Sequence, residues 1–313
     1  MRVCTSLLLI ASLSQPLLAN AAEPESCSTV RFSDIGWTDI SVTTAITSEV
    51  LESLGYKTKT TMLSVPVTYK SLAAGKDIDV FLGNWMPTTE NDIKPYREAG
   101  TVETVRANLE GAKYTLAVPA YAYDAGLKSF ADIAKFKDQL EGQIYGIEPG
   151  NDGNRLIQSM IDKNAFELKD FKVVESSEAA MLSQLKRATR KNEWMVFLAW
   201  EPHPMNTQNK MKYLTGGDDY FGPNLGQATI YTNVRRGYLQ ECGNVGKLLQ
   251  NLVFSLEMEN QLMDAVLNEN QKPRAAAQAW IKANPQVLDT WLAGVSSHDG
   301  KPALEVAKAK LVP

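Results

Sequence analysis

The sequence predicts an α/β protein with two lobes and a ligand cleft between them. Segments typical of strands and helices alternate from about residue 28, the pattern starts again after Gly111, and helices close the chain. Such alternation predicts a parallel sheet with helices on both faces. The chain has 313 residues, of which 44% are hydrophobic and 22% charged, so it can bury one or two cores.

The first α/β unit is defined by its apolar spacing and its turns. Apolar residues recur every four positions from Val42 to Leu54, which predicts a helix. Thr38 or Asp39 can cap its start, and Gly55 can end it. The segments predicted in this unit are a strand at 28–35 ending in Gly36 and Trp37, the helix, a strand at 57–63, a helix at 67–74 and a strand at 78–84.

The second unit repeats the alternation and passes into a helical tail. Its predicted segments are strands at 113–121, 144–147, 171–174 and 193–200 and helices at 130–136, 154–162 and 179–191. A stretch rich in Gly, Asn and Asp at 206–226 and a strand at 228–234 precede the last helices. We therefore assign residues 27–112 plus 211–313 to lobe one, which is discontinuous, and residues 113–210 to lobe two.

The N-terminus is typical of a signal peptide at residues 1–21. It begins with Met1-Arg2, continues through a mostly apolar stretch and ends in small residues. That stretch is interrupted by polar residues and is shorter than the roughly 20 apolar residues of a membrane anchor. We expect cleavage after Ala21 or Ala22 and export of the mature protein.

Signal removal leaves two of the three cysteines, Cys27 and Cys242. An even number of cysteines in an oxidising compartment predicts a disulfide, and the alternative is two free buried thiols. A bridge would tie the mature N-terminus to the last third of the chain, and so would join the two segments of lobe one.

The composition excludes several classes of function. Lys and Arg total 32 against 36 Asp and Glu, the net charge is −4, and no basic run stands out, which argues against nucleic acid as a partner. Only two histidines are present, which excludes a multi-histidine metal site. No phosphate-binding glycine loop or nucleophile elbow is visible. We therefore expect no enzyme, no metal and no cofactor.

Aromatic residues stand at the ends of several predicted strands. Trp37, Trp85 and Trp200 each end a strand immediately before a turn or a proline, Asn151 follows the strand at 144–147, and Tyr114 opens lobe two. Ligands of open α/β sheets bind at the carboxyl ends of the strands. Each tryptophan is by itself as consistent with core packing as with ligand binding, but their joint positions favour one shared cleft.

A box of aromatic rings is suited to a quaternary ammonium, which has no N–H to donate. Each ring face contributes about 0.5–2 kcal/mol to holding such a cation. Asp39 can accept a hydrogen bond from a ligand hydroxyl, and Asn151 can donate or accept one. Asp39 is equally well interpreted as a helix cap. The other tryptophans are predicted to pack in the core, namely Trp194, Trp280 and Trp291.

Six short motifs follow one another along nearly the whole mature chain. They are Gly36-Trp37-Thr38-Asp39, Leu54-Gly55-Tyr56, Ser71-Leu72-Ala73-Ala74-Gly75 followed by Asp79-Val80-Phe81, Asn84-Trp85-Met86-Pro87, Leu116-Ala117-Val118-Pro119 and Leu198-Ala199-Trp200-Glu201-Pro202. Each motif is weak alone. In this order and spacing they resemble the substrate-binding proteins of bacterial ABC importers, specifically the glycine betaine and choline-binding family.

This resemblance implies a periplasmic binding protein fold, a type II-like Venus flytrap with two crossovers that closes on its ligand. It also implies choline as the ligand, a periplasmic location, and an ABC permease with its ATPase at the inner membrane as partners; we expect a monomer. In the choline-binding branch the family's functional positions fall here on an aromatic box of Trp37, Trp85, Tyr114 and Trp200, a hydroxyl-recognising pair of Asp39 and Asn151, and a disulfide between Cys27 and Cys242.

Choline and glycine betaine differ at the polar end of the molecule, which is a hydroxyl in choline and a carboxylate in betaine. A betaine carboxylate should avoid a nearby Asp, whereas a choline hydroxyl is well served by Asp39 and Asn151. The sequence therefore favours high-affinity choline binding. The alternatives are glycine betaine or another quaternary ammonium as the ligand, and a chemosensory receptor in place of an uptake protein.

Overall fold

The computed structural model describes residues 23–312, and its strands, which lie between Thr29 and Arg235, form one continuous mixed sheet. The predicted signal peptide at residues 1–21 lies outside this range. The order across the sheet is β2-β1-β3-β9-β4-β7-β5-β6, with β8 paired to β4. The strands are β1 (Thr29–Asp34), β2 (Lys57–Met62), β3 (Val80–Met86), β4 (Val102–Pro119), β5 (Gln143–Tyr145), β6 (Lys172–Val174), β7 (Phe197–Glu201), β8 (Met211–Tyr213) and β9 (Gln227–Arg235).

Helices connect the strands and form the segment that follows β9. No helix within residues 23–312 is long and apolar enough to cross a membrane. The helical segments are α1 (Thr38–Ser53), α2 (Val65–Ala74), α3 (Glu90–Glu98), α4 (Ala120–Asp124), α5 (Asp152–Asp162), α6 (Glu178–Lys191), α7 (Met205–Gln208), α8 (Asp218–Phe221), α9 (Pro223–Gly226), α10 (Tyr238–Glu241), α11 (Gly243–Asn251), α12 (Leu256–Leu267), α13 (Pro273–Ala283), α14 (Val287–Trp291) and α15 (Ala303–Leu311).

The sheet is mixed, and the expectation of a purely parallel sheet is wrong. β1 pairs in parallel with β2 and β3, and β5 pairs in parallel with β6 and β7, as the alternating pattern predicts for each unit. In the middle of the sheet, β9 is antiparallel to β3 and β4, and β4 is antiparallel to β7. Local alternation cannot reveal this, because β9 returns from beyond the second unit and inserts between β3 and β4.

The restart predicted after Gly111 is a bulge inside one long strand. β4 has 18 residues and pairs first with β9 and then with β7. Its register to β9 shifts between Leu109 and Ala112, where Gly111 has a φ of +79°. Because a bulge bends a strand without ending it, β4 continues from one half of the sheet into the other. The boundary at 112/113 falls within β4, and the two lobe boundaries stay predictions.

Several predicted elements differ at their ends or in type. The segment Phe130–Phe136 is a 3-10 helix. β7 starts at Phe197, later than the predicted 193. The stretch rich in Gly, Asn and Asp at 206–226 contains β8 and short helical turns.

The predicted disulfide between Cys27 and Cys242 is confirmed. Both half-cystines are buried, their Cα atoms are 5.5 Å apart, and they are separated by 215 residues in the sequence. Glu23 reinforces this attachment, since its carboxylate accepts hydrogen bonds from Val245 N at 3.1 Å and from the Tyr56 hydroxyl at 2.8 Å. The first described residues are therefore held against α11 and the turn before β2.

Candidate ligand-binding site

Ends of strands from both halves of the sheet meet around one cavity. The space that no protein atom fills, including its opening to solvent, is about 240 Å³. Because the elements involved are far apart in sequence, only the folded chain creates this cavity. It is lined by Trp37, Asp39, Trp85, Tyr114, Ile147 and Trp200.

The aromatic rings form walls that stand at steep angles to one another. Tyr114 lies between Trp85 and Trp200, with centroid distances of 6.1 and 6.4 Å and interplanar angles of 64° and 77°. Phe221 supports Tyr114 from outside the cavity at 5.9 Å and 89°. Trp37, the most exposed of the four lining rings, is only 6% exposed. The cavity therefore presents ring faces and edges that are already desolvated.

Strand pairing explains why two of these rings meet. Tyr114 in β4 is directly opposite Trp200 in β7, so their side chains are neighbours across the strands. Trp85 lies in β3, and Trp37 follows β1 immediately before α1. The prediction that strand ends bring these side chains to one cleft agrees with this arrangement.

Asp39 supplies a carboxylate to the cavity. Its Oδ2 accepts a hydrogen bond from Trp85 Nε1 at 3.1 Å, whereas its Oδ1 is buried without a hydrogen-bond partner. Burial, and then the nearby negative charge of Glu178, raise the pKa of Asp39 to about 8. An unpaired buried oxygen is costly in free energy, so this atom is suited to a ligand that donates a hydrogen bond.

Asn151 lies behind Tyr114 and is not among the lining residues. Its Oδ1 accepts hydrogen bonds from the Tyr114 hydroxyl at 2.9 Å and from Asn154 N at 3.2 Å, so Asn151 is the N-cap of α5. Asp152 is the first helical residue of α5, and its carboxylate oxygens are buried without partners. Burial raises the pKa of Asp152 to about 6.

Glu148 connects two of the predicted site residues. Trp37 Nε1 donates to both Glu148 carboxylate oxygens at 3.0 Å, and Asn151 Nδ2 donates to Oε1 at 3.1 Å. Burial raises the pKa of Glu148. Glu148 therefore fixes the indole of Trp37 against the turn that follows β5.

The start of α1 is capped by a residue of another helix. The N-cap position is Trp37, which has no side-chain oxygen, so the expectation that Thr38 or Asp39 caps α1 is wrong. Instead, Glu178 in α6 accepts hydrogen bonds from Thr38 N at 2.8 Å and Thr38 Oγ1 at 2.6 Å.

Glu178 is itself held by a histidine. His203 Nδ1 accepts a hydrogen bond from Met205 N at 3.0 Å, so the ring hydrogen is on Nε2, which faces Glu178 Oε1 at 3.1 Å. The His203 ring also packs against Trp200 with a centroid distance of 4.9 Å. Asp39 lines the cavity, Glu148 accepts from the indole of Trp37, and Glu178 accepts from Thr38 next to it. These acidic groups favour a cationic ligand.

Sequence reasoning missed several of these residues. Ile147 and Glu148 come shortly after β5, so the strand-end rule that selected the tryptophans could also have selected them. Glu178 reads only as an acidic residue in the first turn of a helix, and nothing in the sequence reveals its contact with Thr38. Trp194, Trp280 and Trp291 do not line the cavity, in agreement with a packing role.

The fold and the cavity define a two-lobed ligand-binding protein. Residues 28–283 match the model of a family described as the substrate-binding domain of the ABC-type glycine betaine transport system. The chain belongs to this family. Its members are transport components rather than enzymes, and substrate-binding proteins of ABC importers act in the periplasm or outside the cell.

Solved structures of one kind of relative match almost the whole chain. An ABC-transporter choline-binding protein in complex with choline is 61% identical, with 92% of this chain and 100% of that chain covered and a TM-score of 0.91. A choline-binding protein in an unliganded semi-closed conformation is also 61% identical, with 92% and 99% coverage and a TM-score of 0.85. The chain is thus more similar in shape to the complex with choline.

A more distant relative is the glycine betaine/carnitine transport binding protein GbuC of Listeria monocytogenes. It is 29% identical over 163 residues, which span 52% of this chain and 53% of that protein. The matched region thus covers about half the length of this relative.

Proposed function

We propose that this chain captures choline in the aromatic cavity and delivers it to the permease of an ABC importer, whose ATPase drives uptake. The observation that carries the proposal is that four aromatic rings line the same cavity as Asp39, whose Oδ1 is buried without a hydrogen-bond partner. Four rings supply several of the roughly 8 kcal/mol that a micromolar affinity requires. The 61% identical relative solved with choline supports the same ligand.

Each part of choline has a partner in this proposal. The trimethylammonium group lies among the rings of Trp37, Trp85, Tyr114 and Trp200. The hydroxyl donates to Asp39 Oδ1. Asn151 Nδ2 has two hydrogens, and the one that is not donated to Glu148 can be donated to the hydroxyl oxygen. Asn151 also holds Tyr114 in position through the hydrogen bond to its hydroxyl.

The proposed lobes divide the cavity between them. Lobe one comprises 27–112 plus 211–313, and lobe two comprises 113–210, so closure is needed to complete the box. The higher similarity to the choline complex than to the semi-closed relative supports a closed arrangement here. Lobe one contributes Trp37, Asp39 and Trp85, and lobe two contributes Tyr114, Asn151 and Trp200.

We further propose a monomer, exported to the periplasm by its signal peptide.

Glycine betaine is the second candidate, favoured by a specific property of Asp39. Burial raises the pKa of this carboxyl group to about 8, so near neutral pH it can carry a proton and donate a hydrogen bond to a carboxylate. The description of the family as a glycine betaine system supports this candidate too. A choline hydroxyl still makes better use of an unpartnered oxygen.

Calorimetric titration of the refolded protein, freed of copurified ligand, tests the proposal. Choline is expected to bind more tightly than glycine betaine, proline betaine or acetylcholine. Trp200→Ala should weaken choline at least tenfold, about 1.4 kcal/mol. Trp194→Ala is the matched control outside the cavity and should bind normally. Tighter binding of betaine would favour the second candidate, and no binding of any of these ligands would overturn the proposal.

A further inference from the structure

Asp39 holds its carboxyl group in a setting that disfavours a negative charge. The residue is 1% exposed, and aromatic rings form most of the cavity wall beside it. Trp85 Nε1 donates a hydrogen bond to one oxygen at 3.1 Å, and the other oxygen has no partner. An isolated buried carboxylate is so costly that such groups commonly bind a proton instead.

The ionisable groups around Asp39 make its charge still less favourable. Glu178 approaches from α6, where His203 holds it, and Glu259 approaches from α12. Glu259 is 3% exposed, and burial, followed by the charge of Asp39, raises its pKa well above the usual range. Asp34 lies at the end of β1 and bonds to Ser41 Oγ at 2.8 Å.

The remaining charged groups near α1 do not neutralise Asp39. Glu148 bonds to the indole of Trp37. The positive charge of Arg274 on α13 lies near the other end of α1, where it pairs with Glu49. Acidic groups therefore approach Asp39 from several sides. A cationic ligand would strongly shift the equilibrium between the protonated and ionised forms of Asp39.

We propose, as an inference that rests on the proposed function, that Asp39 carries a proton in the empty cavity and releases it when choline binds. Its protonation state then selects the polar end of the ligand. The ammonium group and the donating hydroxyl both favour a carboxylate. A ligand that ends in a carboxylate instead needs the proton to remain on Asp39, where it forms an O–H···O⁻ hydrogen bond. One proton therefore leaves for each choline bound, and none leaves for betaine.

Opposite pH dependences follow for the two ligands. In the arrangement described here the carboxyl group has a pKa of about 8, above its usual value, because burial and the charge of Glu178 disfavour its ionised form. Below that pH, choline must displace the proton and binds more weakly, whereas above it betaine loses its hydrogen-bond donor. Between pH 7 and pH 9, choline affinity should rise about tenfold and betaine affinity should fall about tenfold.

Calorimetry of the wild-type protein between pH 6 and pH 9, in buffers of different ionisation enthalpy, measures affinity and proton release together. We expect about one proton released per choline at pH 7. Asp39→Asn, a neutral mimic of the protonated acid, should bind choline more weakly and lose the opposite pH dependences. Any pH dependence left in this variant belongs to other groups such as Asp152. Asp219→Asn, at an exposed position, is the matched control.

The outcomes separate the inference from the proposed function. Choline binding with constant affinity from pH 7 to pH 9 and without proton release would overturn the inference and leave choline as the ligand. A betaine affinity that rises with pH would contradict the selection between polar ends. Absence of choline binding at every pH would overturn the proposed function itself. The wild-type series decides these points even if Asp39→Asn fails to fold.

Discussion

Two glycines lie so close to Tyr114 that a larger residue at either position would displace it from the wall of the cavity. A Cβ atom at Gly153 would lie 2.2 Å from the Tyr114 hydroxyl oxygen. A Cβ atom at Gly226, which has a φ of +69°, would lie 2.0 Å from the Tyr114 carbonyl oxygen. The ring that supports both neighbouring tryptophans therefore depends on residues that have no contact with the ligand in our proposal.

Gly153→Ala tests this dependence. The new methyl group must displace the Tyr114 ring and disturb its hydrogen bond to Asn151, so choline affinity should fall about tenfold, while crowding lowers stability by about 1–3 kcal/mol. Titration calorimetry and thermal unfolding measure the two effects. Gly243→Ala is the matched control, since its added Cβ would meet no atom within 4 Å. An unchanged affinity in folded Gly153→Ala would show that the position of Tyr114 is unimportant.

The sequence predicts which side chains reach the cavity better than it predicts their partners. The strand-end rule selects Trp37, Trp85 and Trp200 because the direction of a strand determines where its last side chain lies. It cannot show that Glu148 binds the Trp37 indole, since this contact joins residues separated by 111 positions. Asn151 illustrates the same limit, because its carboxamide oxygen serves the Tyr114 hydroxyl and the start of α5.

At the scale of secondary structure elements, helices α1 and α6 meet beside the cavity. α1 lacks a side-chain cap of its own, and its first N–H, that of Thr38, donates to the carboxylate of Glu178 from α6. A negative charge at a helix N-terminus is favourable, and charge-assisted hydrogen bonds are stronger than neutral ones. In the proposed lobe assignment this contact crosses the cleft, so it stabilises the arrangement in which the two lobes meet.

Glu178→Gln should therefore weaken the closed state. The amide keeps only one acceptor oxygen and no charge, so we expect choline to dissociate faster and its affinity to fall about tenfold, because hydrogen bonds to charged groups contribute about 1.5–3 kcal/mol. Stopped-flow tryptophan fluorescence measures the dissociation rate. Glu193→Gln removes the same charge from an exposed position and should behave as wild type. A normal dissociation rate in Glu178→Gln would argue against a closing role.

The same substitution should also change the pH dependence of binding. The charge of Glu178 is, after burial, the largest contribution that raises the pKa of Asp39. Removing it lowers that pKa, so the rise in choline affinity should move to lower pH. This shift comes from the charge of Glu178 and not from its hydrogen bonds to Thr38, so it separates the two effects of the substitution.

At the scale of the whole molecule, the sequence predicts the two α/β units but not how they share a sheet. Alternating segments define β1 to β3 and β5 to β7, because parallel pairing follows from the order of strands and helices. The joining strands β4 and β9 are antiparallel partners from distant parts of the chain. Their pairing depends on tertiary contacts, and Gly111 looks like a turn although it forms a bulge within β4.

The disulfide is the other long-range connection, and it lies away from the cavity. Cys27 precedes β1 and Trp37 follows it, so this strand of six residues separates the bridge from the site by about 20 Å. Stability and binding should therefore depend on different parts of the molecule.

The double substitution Cys27→Ser and Cys242→Ser should lower stability and leave binding intact. The bridge closes a loop over 215 positions, so its loss should cost roughly 5 kcal/mol in the chain-entropy model and lower Tm by about 10 °C. Because the hydrogen bonds of Asp39 and Trp37 do not involve this region, the choline Kd at 25 °C should stay within about twofold of wild type. Calorimetry by scanning and by titration measures both quantities, and reduced wild-type protein is the control. A loss of affinity as large as the loss of stability would mean that the bridge shapes the cavity through β1.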